Sequence, residues 1–324
     1  MMDRIRWGIL GTGAIVRGRF VNAIRGSQYG VVEAVASRSP EKARAFAQEF
    51  SIPGAFGSYQ ELIDNPNVDA VYIATPNSEH LAWAIACAEA GKPTLCEKPL
   101  ASDANEARQM VDAFRSRNVP MTEAFMYRFH PQTERVKALL NDGAIGGLKT
   151  IMTGFSFITR PEEVAMIKSL AGGTLMDAGC YGVNVMRYMT GEEPADVIAT
   201  AIWGKPTGVD EVMSGVFVFP SEIVGHFHSC FRATVSHTYD LRGTTGRLAV
   251  DTAFDIEPDL PSTIRLWRDG QYEEIVIPPA NHFTIMADDF ARALLDGRPP
   301  RFAPEDAIRN MEAIDRIYAA AGRK

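Results

Sequence analysis

The sequence has no excess of positive charge and no basic stripe. Its 324 residues include 33 Lys and Arg against 40 Asp and Glu, which gives a net charge of −7 with acids and bases interspersed. Recognition of nucleic acid, or of an anionic membrane surface, requires basic residues clustered on one face. We therefore expect neither nucleic acid nor a membrane as a partner.

Cysteines are few and long apolar runs are absent. The 4 cysteines form no C-x-x-C pair and lie in apolar stretches, as is typical of free thiols in a reducing compartment: Cys87, Cys96, Cys180 and Cys230. No apolar stretch approaches the roughly 20 residues of a membrane span, and the N-terminal segment lacks the apolar core of a secretion signal. We expect a cytoplasmic protein.

The length exceeds that of one ordinary core and predicts two domains. Up to residue 125, apolar strand segments alternate with helical periodicity through short connections, which is typical of a doubly wound parallel sheet. Beyond it, segments with period-two alternation follow one another through short turns, which indicates a largely antiparallel open sheet. We predict two domains, an α/β domain with a doubly wound parallel sheet at 1–125 and an α+β domain with a largely antiparallel open sheet at 126–324.

A glycine turn follows the first predicted strand, 5–10, and precedes a predicted helix that ends at Gly26. The turn consists of Gly11, Thr12, Gly13, Ala14 and Ile15. The first glycine permits a tight turn, the second lets the backbone approach a pyrophosphate, and the helix N-terminus supplies N–H groups. A purely structural turn is the alternative, since Val16 replaces the usual third small residue.

The second strand, 31–36, ends at Ser37 and Arg38, where such folds meet the adenosine ribose of the cofactor. An acidic residue there would favour NAD. A hydroxyl and a guanidinium suit a 2′-phosphate instead, because the guanidinium matches phosphate geometry and keeps its charge. We predict NADP rather than NAD, with a solvated surface arginine as the alternative.

Two further loops are expected beside the glycine turn. The strand at 69–75 runs into Thr75, Pro76 and Asn77, and the strand near 94–96 runs into Glu97 and Lys98. Carboxyl ends of parallel strands lie along one rim of the sheet, where open α/β sheets bind ligands. Lys98 is therefore expected to reach the cofactor crevice.

Several ordered segments resemble the glucose-fructose oxidoreductase family, also called the Gfo/Idh/MocA family. They are the glycine turn, ATPN at 74–77 with His80, AGKPTLCEKP at 90–99, EAFMYRFHP at 123–131 and GGTLMDAGCY at 172–181. Within the family, Tyr181 and the Ser37–Arg38 pair look most like the dimeric dihydrodiol dehydrogenases and NADP-dependent xylose dehydrogenases. The resemblance implies that residues 1–125 form an NAD(P)-binding Rossmann domain and residues 126–324 a substrate-binding and oligomerisation domain. It also implies a homodimer, or a dimer of dimers, formed through the C-terminal sheet.

Asp177, Tyr181 and Lys98 are the predicted catalytic residues. Asp177 and Tyr181 are four residues apart and share a face if a helix forms. A tyrosine, whose ordinary pKa is about 10, needs a nearby cation to work as a base near neutrality, and Lys98 is the natural cation. Asp177 would hold the lysine or a substrate hydroxyl, or else only cap its helix.

The remaining candidates have structural alternatives of similar weight. His80 could bind substrate or nicotinamide, or be an ordinary residue at a helix start. Glu97 could orient the nicotinamide or only satisfy backbone groups, and Arg128 could steer phosphate or substrate. His226 and His228 share a strand face, but no third ligand is near in sequence, so we predict no metal site.

The expected activity is NADP-dependent hydride transfer between nicotinamide and a sugar (an aldose) or a cyclic vicinal diol. Reduction of a keto sugar, as in anhydrofructose reductases, and aldose-aldose exchange are the alternatives among enzymes. A non-catalytic NADP-binding sensor is the alternative of another class. A methyltransferase is disfavoured because Arg38 does not suit the uncharged ribose of its cofactor.

Overall fold

The computed structural model describes residues 4–322, so the first three residues of the N-terminal segment considered above lie outside it. The chain forms two compact units. The first comprises the residues up to Ala124 together with Phe283–Ile308, and the second comprises Phe125–His282 together with the residues from Arg309 onward.

The first unit contains the predicted parallel sheet. Its six strands lie in the order β3-β2-β1-β4-β5-β6: β1 Ile5–Leu10, β2 Gly30–Ala36, β3 Gly54–Phe56, β4 Ala70–Ile73, β5 Thr94–Cys96 and β6 Met121–Glu123. All the pairs are parallel. Strand β3 was not predicted, because Pro53, Gly54 and Gly57 leave only a short edge segment between breakers.

Helices connect these strands: α1 Val21–Arg25, α2 Pro40–Phe50, α3 Tyr59–Ile63, α4 His80–Glu89 and α5 Ala104–Ser116. A π-helical turn, Val16–Phe20, precedes α1. Side chains define two of the starts: Ser39 accepts a hydrogen bond from Lys42 N (3.3 Å), and Asp103 accepts one from Glu106 N (2.8 Å). These bonds satisfy donors that the first helical turn leaves without partners.

The second unit contains an eight-stranded sheet in the order β14-β13-β12-β11-β7-β10-β9-β8. The strands are β7 Leu148–Ile158, β8 Asp196–Trp203, β9 Asp210–Val218, β10 Val224–Cys230, β11 Arg232–Gly243, β12 Gly246–Val250, β13 Ser262–Arg268 and β14 Gln271–Ile277. Only the β7–β10 pair among them is parallel, so the prediction of a largely antiparallel sheet is confirmed.

Helices of the second unit cover one face of this sheet. They are α6 Pro131–Asn141 and α7 Cys180–Thr190, with a π-helical turn, Leu175–Gly179, leading into α7. The alternation along β10 shows which face is covered, since Gly225, Phe227 and Ser229 are buried while His226 and His228 are exposed. The segment between β7 and this turn contains two short 3-10 turns, Val164–Met166 and Lys168–Leu170.

Near its C-terminus the chain returns to the first unit. This unit therefore combines two separate stretches of the sequence, which a single boundary at residue 125 does not describe. Helix α8, His282–Leu295, belongs to it from its second residue onward, as does the beginning of α9, Glu305–Ala320. Asp288 accepts a hydrogen bond from the Ser27 hydroxyl, and the Thr284 hydroxyl donates to Ala23 O at 2.9 Å. Among residues 4–322, no helix has the length and apolar content needed to cross a bilayer.

Candidate active site

The glycine turn after β1 has a backbone that only glycine tolerates at its first position. Gly11 has φ of +111°, and a Cβ there would lie 2.7 Å from Ala74 O. Its N–H donates to Ala36 O, and Ala74 N donates to Leu10 O, each at 3.0 Å. Strands β1 and β4 are parallel neighbours at the point where the strand order reverses, and they therefore end in loops that touch each other.

The rest of the turn leaves open space above the sheet edge. Gly13 and Ala14 are exposed, Thr12 and Ile15 are half-buried, and a Cβ added to Gly13 would meet no atom within 4 Å. The helical backbone begins directly after Gly13, whose carbonyl accepts from Arg17 N at 3.1 Å. The predicted arrangement of strand, glycine turn and helix is present, with room for a ligand against it.

Thr75 follows β4 at the same edge. Its side chain is 8% exposed, and its Oγ1 has no hydrogen-bond partner among the residues that the structure describes. Buried hydroxyls without a partner are uncommon in native proteins and often face a ligand or water. Pro76 and Asn77 continue this loop and are half-buried.

Ser37 and Arg38 follow β2, as predicted, and the structure adds a residue that the sequence reading missed. Ser37 is buried, whereas the Arg38 side chain is 68% exposed. Arg38 Nη1 donates to Glu79 Oε1 at 2.6 Å, and Glu79 ends a 3-10 turn, Asn77–Glu79, directly after the Thr75 loop. The position expected to meet the ribose thus carries a positive and a negative side chain that are paired with each other.

Glu97 and Lys98 follow β5. The Glu97 carboxylate is buried, accepts a hydrogen bond from the Tyr72 hydroxyl and faces Lys98 N at 3.3 Å. The Lys98 side chain is half-buried, and the Lys98–Pro99 peptide bond is cis. Glu97 therefore binds backbone and a residue of the neighbouring strand, and its predicted contact with the nicotinamide stays a prediction.

His80 begins α4 and is completely buried. Its Nε2 lies 2.9 Å from Thr75 O, and its Nδ1 lies 3.2 Å from both Pro99 O and Leu100 O. Burial lowers the pKa of His80, while these carbonyls oppose the shift. The ring joins the loops after β4 and β5, so this geometry favours the structural alternative over contact with substrate.

The cysteine next to this loop is inert. Cys96 is the last residue of β5 and is completely buried, and this burial raises the pKa of its thiol well above the ordinary value. Burial likewise raises the pKa of Cys87, to about 12. Both behave as small apolar residues, as expected from the sequence.

Tyr181 lies in α7, within an aromatic cluster of the second unit. Its ring centroid is 5.2 Å from that of Phe254, 5.4 Å from Phe125 and 5.5 Å from Phe155. The side chain is 4% exposed, and its hydroxyl contacts Met126 Sδ at 3.3 Å. The packing fixes the ring and leaves the hydroxyl as its polar end.

Asp177 lies in the π-helical turn before α7 and is half-buried. The expectation that it could cap this helix is wrong, because the helix begins earlier, after the turn at Gly172 and Gly173. The cap comes from β9: Asp210 Oδ2 accepts a hydrogen bond from Leu175 N at 2.7 Å, and its Oδ1 accepts one from the Tyr318 hydroxyl at 2.9 Å. Asp177 is thus not needed to start the helix.

Arg128 is buried in the second unit, where its guanidinium lies 5.2 Å from the centroid of the Tyr188 ring. This cation–π contact gives the residue a packing role, and its predicted contact with phosphate or substrate stays a prediction. His226 and His228 are exposed on β10, and among residues 4–322 no three His, Cys, Asp or Glu side chains form a group that could hold a metal ion.

Three residues of these sites were not predicted: Tyr72, Glu79 and Asp210. Tyr72 lies within an apolar strand, where the sequence pattern predicts a core residue. Asp210 is distant in sequence from the helix that it caps. Glu79 could have been found, because a carboxylate two residues after Asn77 falls in a loop already expected at the cofactor rim.

The edge formed by the loops after β1, β2, β4 and β5 fits a nucleotide cofactor. It combines a glycine backbone open to a ligand, a buried threonine hydroxyl and a mostly exposed arginine. The fold and this edge define a dinucleotide-binding protein with a second, sheet-based unit.

Comparison with known proteins agrees with both units. Residues 5–125 match the model of an oxidoreductase family with an NAD-binding Rossmann fold, and residues 133–249 match the GFO/IDH/MocA C-terminal domain. The chain belongs to the GFO/IDH/MocA oxidoreductase family. The resemblance drawn from the sequence motifs is confirmed.

Relatives and solved structures of similar length extend this finding. An NADP-dependent D-xylose 1-dehydrogenase of Haloferax volcanii is 36% identical over 97% of each chain. Human trans-1,2-dihydrobenzene-1,2-diol dehydrogenase is 33% identical over 85% of this chain and 81% of its own. An aldose-aldose oxidoreductase of Caulobacter crescentus superposes with a TM-score of 0.91 at 28% identity, covering 98% of this chain and 97% of its own.

A 3-ketoreductase of Actinomadura kijaniata, solved with NADP and TDP-benzene, superposes with a TM-score of 0.93 at 26% identity, covering 98% of each chain. These proteins include both dehydrogenases and a reductase. The comparisons therefore agree on the oxidoreductase class and differ in the substrate.

Proposed function

We propose that this protein is an NADP-dependent oxidoreductase that acts on a carbinol group of a sugar, or of a cyclic vicinal diol. The observation that carries the proposal is Arg38 at the end of β2, with its guanidinium mostly exposed beside a glycine turn open to a ligand. Similarity to a xylose dehydrogenase that uses NADP and to dihydrodiol dehydrogenases supports the substrate class.

The cofactor would be held by the loops of the first unit. Backbone N–H groups after Gly11 suit the pyrophosphate, Ser37 and Arg38 suit the 2′-phosphate, and the Thr75 loop lies beside the turn. When bound, NADP supplies the acceptor of the hydride. The protein's own part is to orient the substrate and to move one proton.

Tyr181 and Lys98 are the groups proposed for the proton transfer. Tyr181 would accept the proton of the substrate hydroxyl as the carbonyl forms, and Lys98 would stabilise the tyrosinate by its charge. Asp177 would bind a substrate hydroxyl or the lysine, since Asp210 already caps its helix. The fixed ring of Tyr181 within its aromatic cluster suits a group that must hold one orientation.

A substrate panel tests this function. Purified protein is mixed with NADP or NAD and with aldoses, inositols, or cyclic diols, and the absorbance of reduced nicotinamide is followed. We expect turnover with at least one aldose or diol. At low cofactor concentration, we expect this turnover to be faster with NADP than with NAD. Absence of turnover with the whole panel, while NADP binds, would instead favour the sensor.

The reverse reaction, reduction of a keto sugar, is the second candidate, and the structural similarity to a 3-ketoreductase supports it. The same tyrosine would then donate the proton. Incubation with NADPH and keto sugars distinguishes the directions, because only a reductase consumes NADPH with a keto sugar faster than it forms NADPH with the corresponding alcohol.

We also propose a cytoplasmic homodimer formed through the exposed face of the eight-stranded sheet. Apolar side chains on that face support the assembly: Ile198 and Ile202 of β8 are 67% and 52% exposed. Burying such residues against a second copy would remove apolar area from water. Light scattering of the wild type and of Ile198→Asp tests this assembly. We expect a dimer for the wild type and a monomer for the variant.

A further inference from the structure

The partner of Arg38 bears on which cofactor the protein prefers. Arg38 follows β2, Glu79 follows β4, and β1 with its glycine turn lies between these strands. Their ion pair, with Nη1 and Oε1 at 2.6 Å, therefore spans the rim at the end where the adenosine ribose is expected. A carboxylate thus stands beside the arginine that is assigned to the 2′-phosphate.

The two partners differ in how far they are exposed to solvent. The Arg38 side chain is 68% exposed, whereas that of Glu79 is 21% exposed. Both charges also act on the Tyr59 phenol, whose pKa burial raises most, Glu79 raises further and Arg38 lowers. The guanidinium is thus the more exposed member of the pair, and a ligand at this rim reaches it more readily than it reaches the Glu79 carboxylate.

A 2′-phosphate and a 2′-hydroxyl meet this pair differently. The pair is neutral as a whole, while a phosphate monoester carries about −1.5 to −2 charges at neutral pH, so Glu79 repels it and competes with it for Arg38. A ribose hydroxyl is uncharged and can donate a hydrogen bond to a carboxylate. The carboxylate therefore works against NADP and not against NAD.

We propose that Glu79 is a specificity-determining residue that limits the preference for NADP over NAD, so that the protein accepts both cofactors. The proposal rests on the cofactor rim assigned under the proposed function and extends it to a residue that no motif identified. When Glu79 is neutralised, the Arg38 guanidinium is available to the 2′-phosphate, and the protein becomes more selective for NADP.

The test is the dissociation constant of NADP and of NAD, measured by calorimetry without substrate, for the wild type and Glu79→Gln. We expect the NADP constant to fall about five- to tenfold and the NAD constant to stay equal or rise. The NADP effect should shrink at high salt because the phosphate site is partly exposed. Circular dichroism checks that the near-isosteric variant folds.

Glu89→Gln is the matched control. Glu89 lies at the other end of α4 and forms a longer, more exposed ion pair with an arginine, with Glu89 Oε1 and Arg117 Nη2 at 3.6 Å. The control removes the same charge and should leave both constants within about twofold, since Glu89 lies ten residues after Glu79, roughly 15 Å further along the helix.

Two results would overturn the proposal. If Glu79→Gln weakens NADP binding, Glu79 positions Arg38 instead of competing for it. If the ratio of the two constants stays within about twofold of the wild type, Glu79 has no part in selection. The dissociation constants are measured without substrate, so they can be interpreted even if the sugar or diol assay fails. If the wild type binds neither nucleotide, both this proposal and the proposed function are wrong.

Discussion

Tyr181 is the residue on which the proposed chemistry depends. Its hydroxyl is the polar end of a ring otherwise enclosed by aromatic side chains and Met126. Removing this oxygen removes a proton-transfer group without opening a cavity, so the packing of the cluster should survive. The residue can therefore be tested with little change to the fold.

Tyr181→Phe should lower turnover about a hundredfold or more, because general acid–base groups contribute at that level, with little change in NADP affinity. Steady-state kinetics and calorimetry measure the two effects. Tyr127→Phe is the matched control, since Tyr127 lies in the same cluster and donates to Asn184 Oδ1 at 2.6 Å. Full activity in Tyr181→Phe would show that another group moves the proton.

Arg38→Ala should weaken NADP binding about 10- to 100-fold, as expected for loss of charge-assisted hydrogen bonds, and change NAD binding much less. Arg117→Ala, which removes an exposed arginine from another ion pair of the first unit, is the control. Calorimetry with both nucleotides measures the difference. Equal losses for NADP and NAD would contradict the assignment of Arg38 to the 2′-phosphate.

At the scale of elements, the site depends on where helices begin. Asp210 of β9 caps the helical segment that contains Asp177 and Tyr181, and it also accepts from the Tyr318 hydroxyl of α9. Gly173, with φ of +129°, leaves room for this carboxylate, because a Cβ there would lie 2.1 Å from Asp210 Oδ1. A residue remote in sequence thus sets the orientation of the helix.

Asp210→Ala should lower the free energy of unfolding by about 2–3 kcal/mol, since two buried donors lose a charged acceptor. Denaturant unfolding measures this loss. Asp103→Ala, which removes an exposed cap on α5, is the comparison and should cost about 1 kcal/mol. A loss at Asp210 no larger than that at Asp103 would contradict the capping role described.

Most elements could be predicted from the sequence, because they follow local patterns. Helix α2 begins at Pro40 after the cap Ser39, and exposure alternates from residue to residue along β8. The π-helical turn at Leu175–Gly179 could not be predicted, because its cap comes from Asp210 through tertiary contact. Strand β3 was missed because pairing with β2 overrides its breakers.

The features of the candidate site also fall into two groups, those that local patterns predict and those that depend on tertiary contacts. Gly11, Arg38, Thr75 and Lys98 follow strands that the apolar pattern identifies, so their common edge could be predicted. The Arg38–Glu79 and Tyr72–Glu97 contacts could not, because they join side chains from different strands or loops. Local pattern fixes which loops meet, whereas side-chain pairing depends on tertiary geometry.

At the scale of the whole molecule, stability should depend on pH through buried histidines. His130 Nδ1 accepts a hydrogen bond from Gln132 N at 3.0 Å and so caps α6 in its neutral form. Burial lowers the pKa of His130 to about 4. The unfolded chain takes up this proton near pH 6.5, so it binds more protons than the folded protein between these values.

The free energy of unfolding should therefore fall as the pH is lowered from about 6.5 toward about 4. His130→Asn keeps an acceptor at the cap but does not titrate, so its stability should fall less steeply over this range. Denaturant unfolding at several pH values compares the two proteins. Parallel profiles would show that His130 does not contribute to the pH dependence.

Hydride transfer from a carbinol carbon to NADP is the central claim for the whole protein, and isotope transfer tests it most directly. The fastest substrate of the panel is prepared with deuterium on the reacting carbon and incubated with the protein and NADP, and the nicotinamide is analysed by mass spectrometry. We predict reduced cofactor carrying the deuterium in proportion to the product formed. Product without label on the nicotinamide, or no product from any aldose or diol, would contradict it.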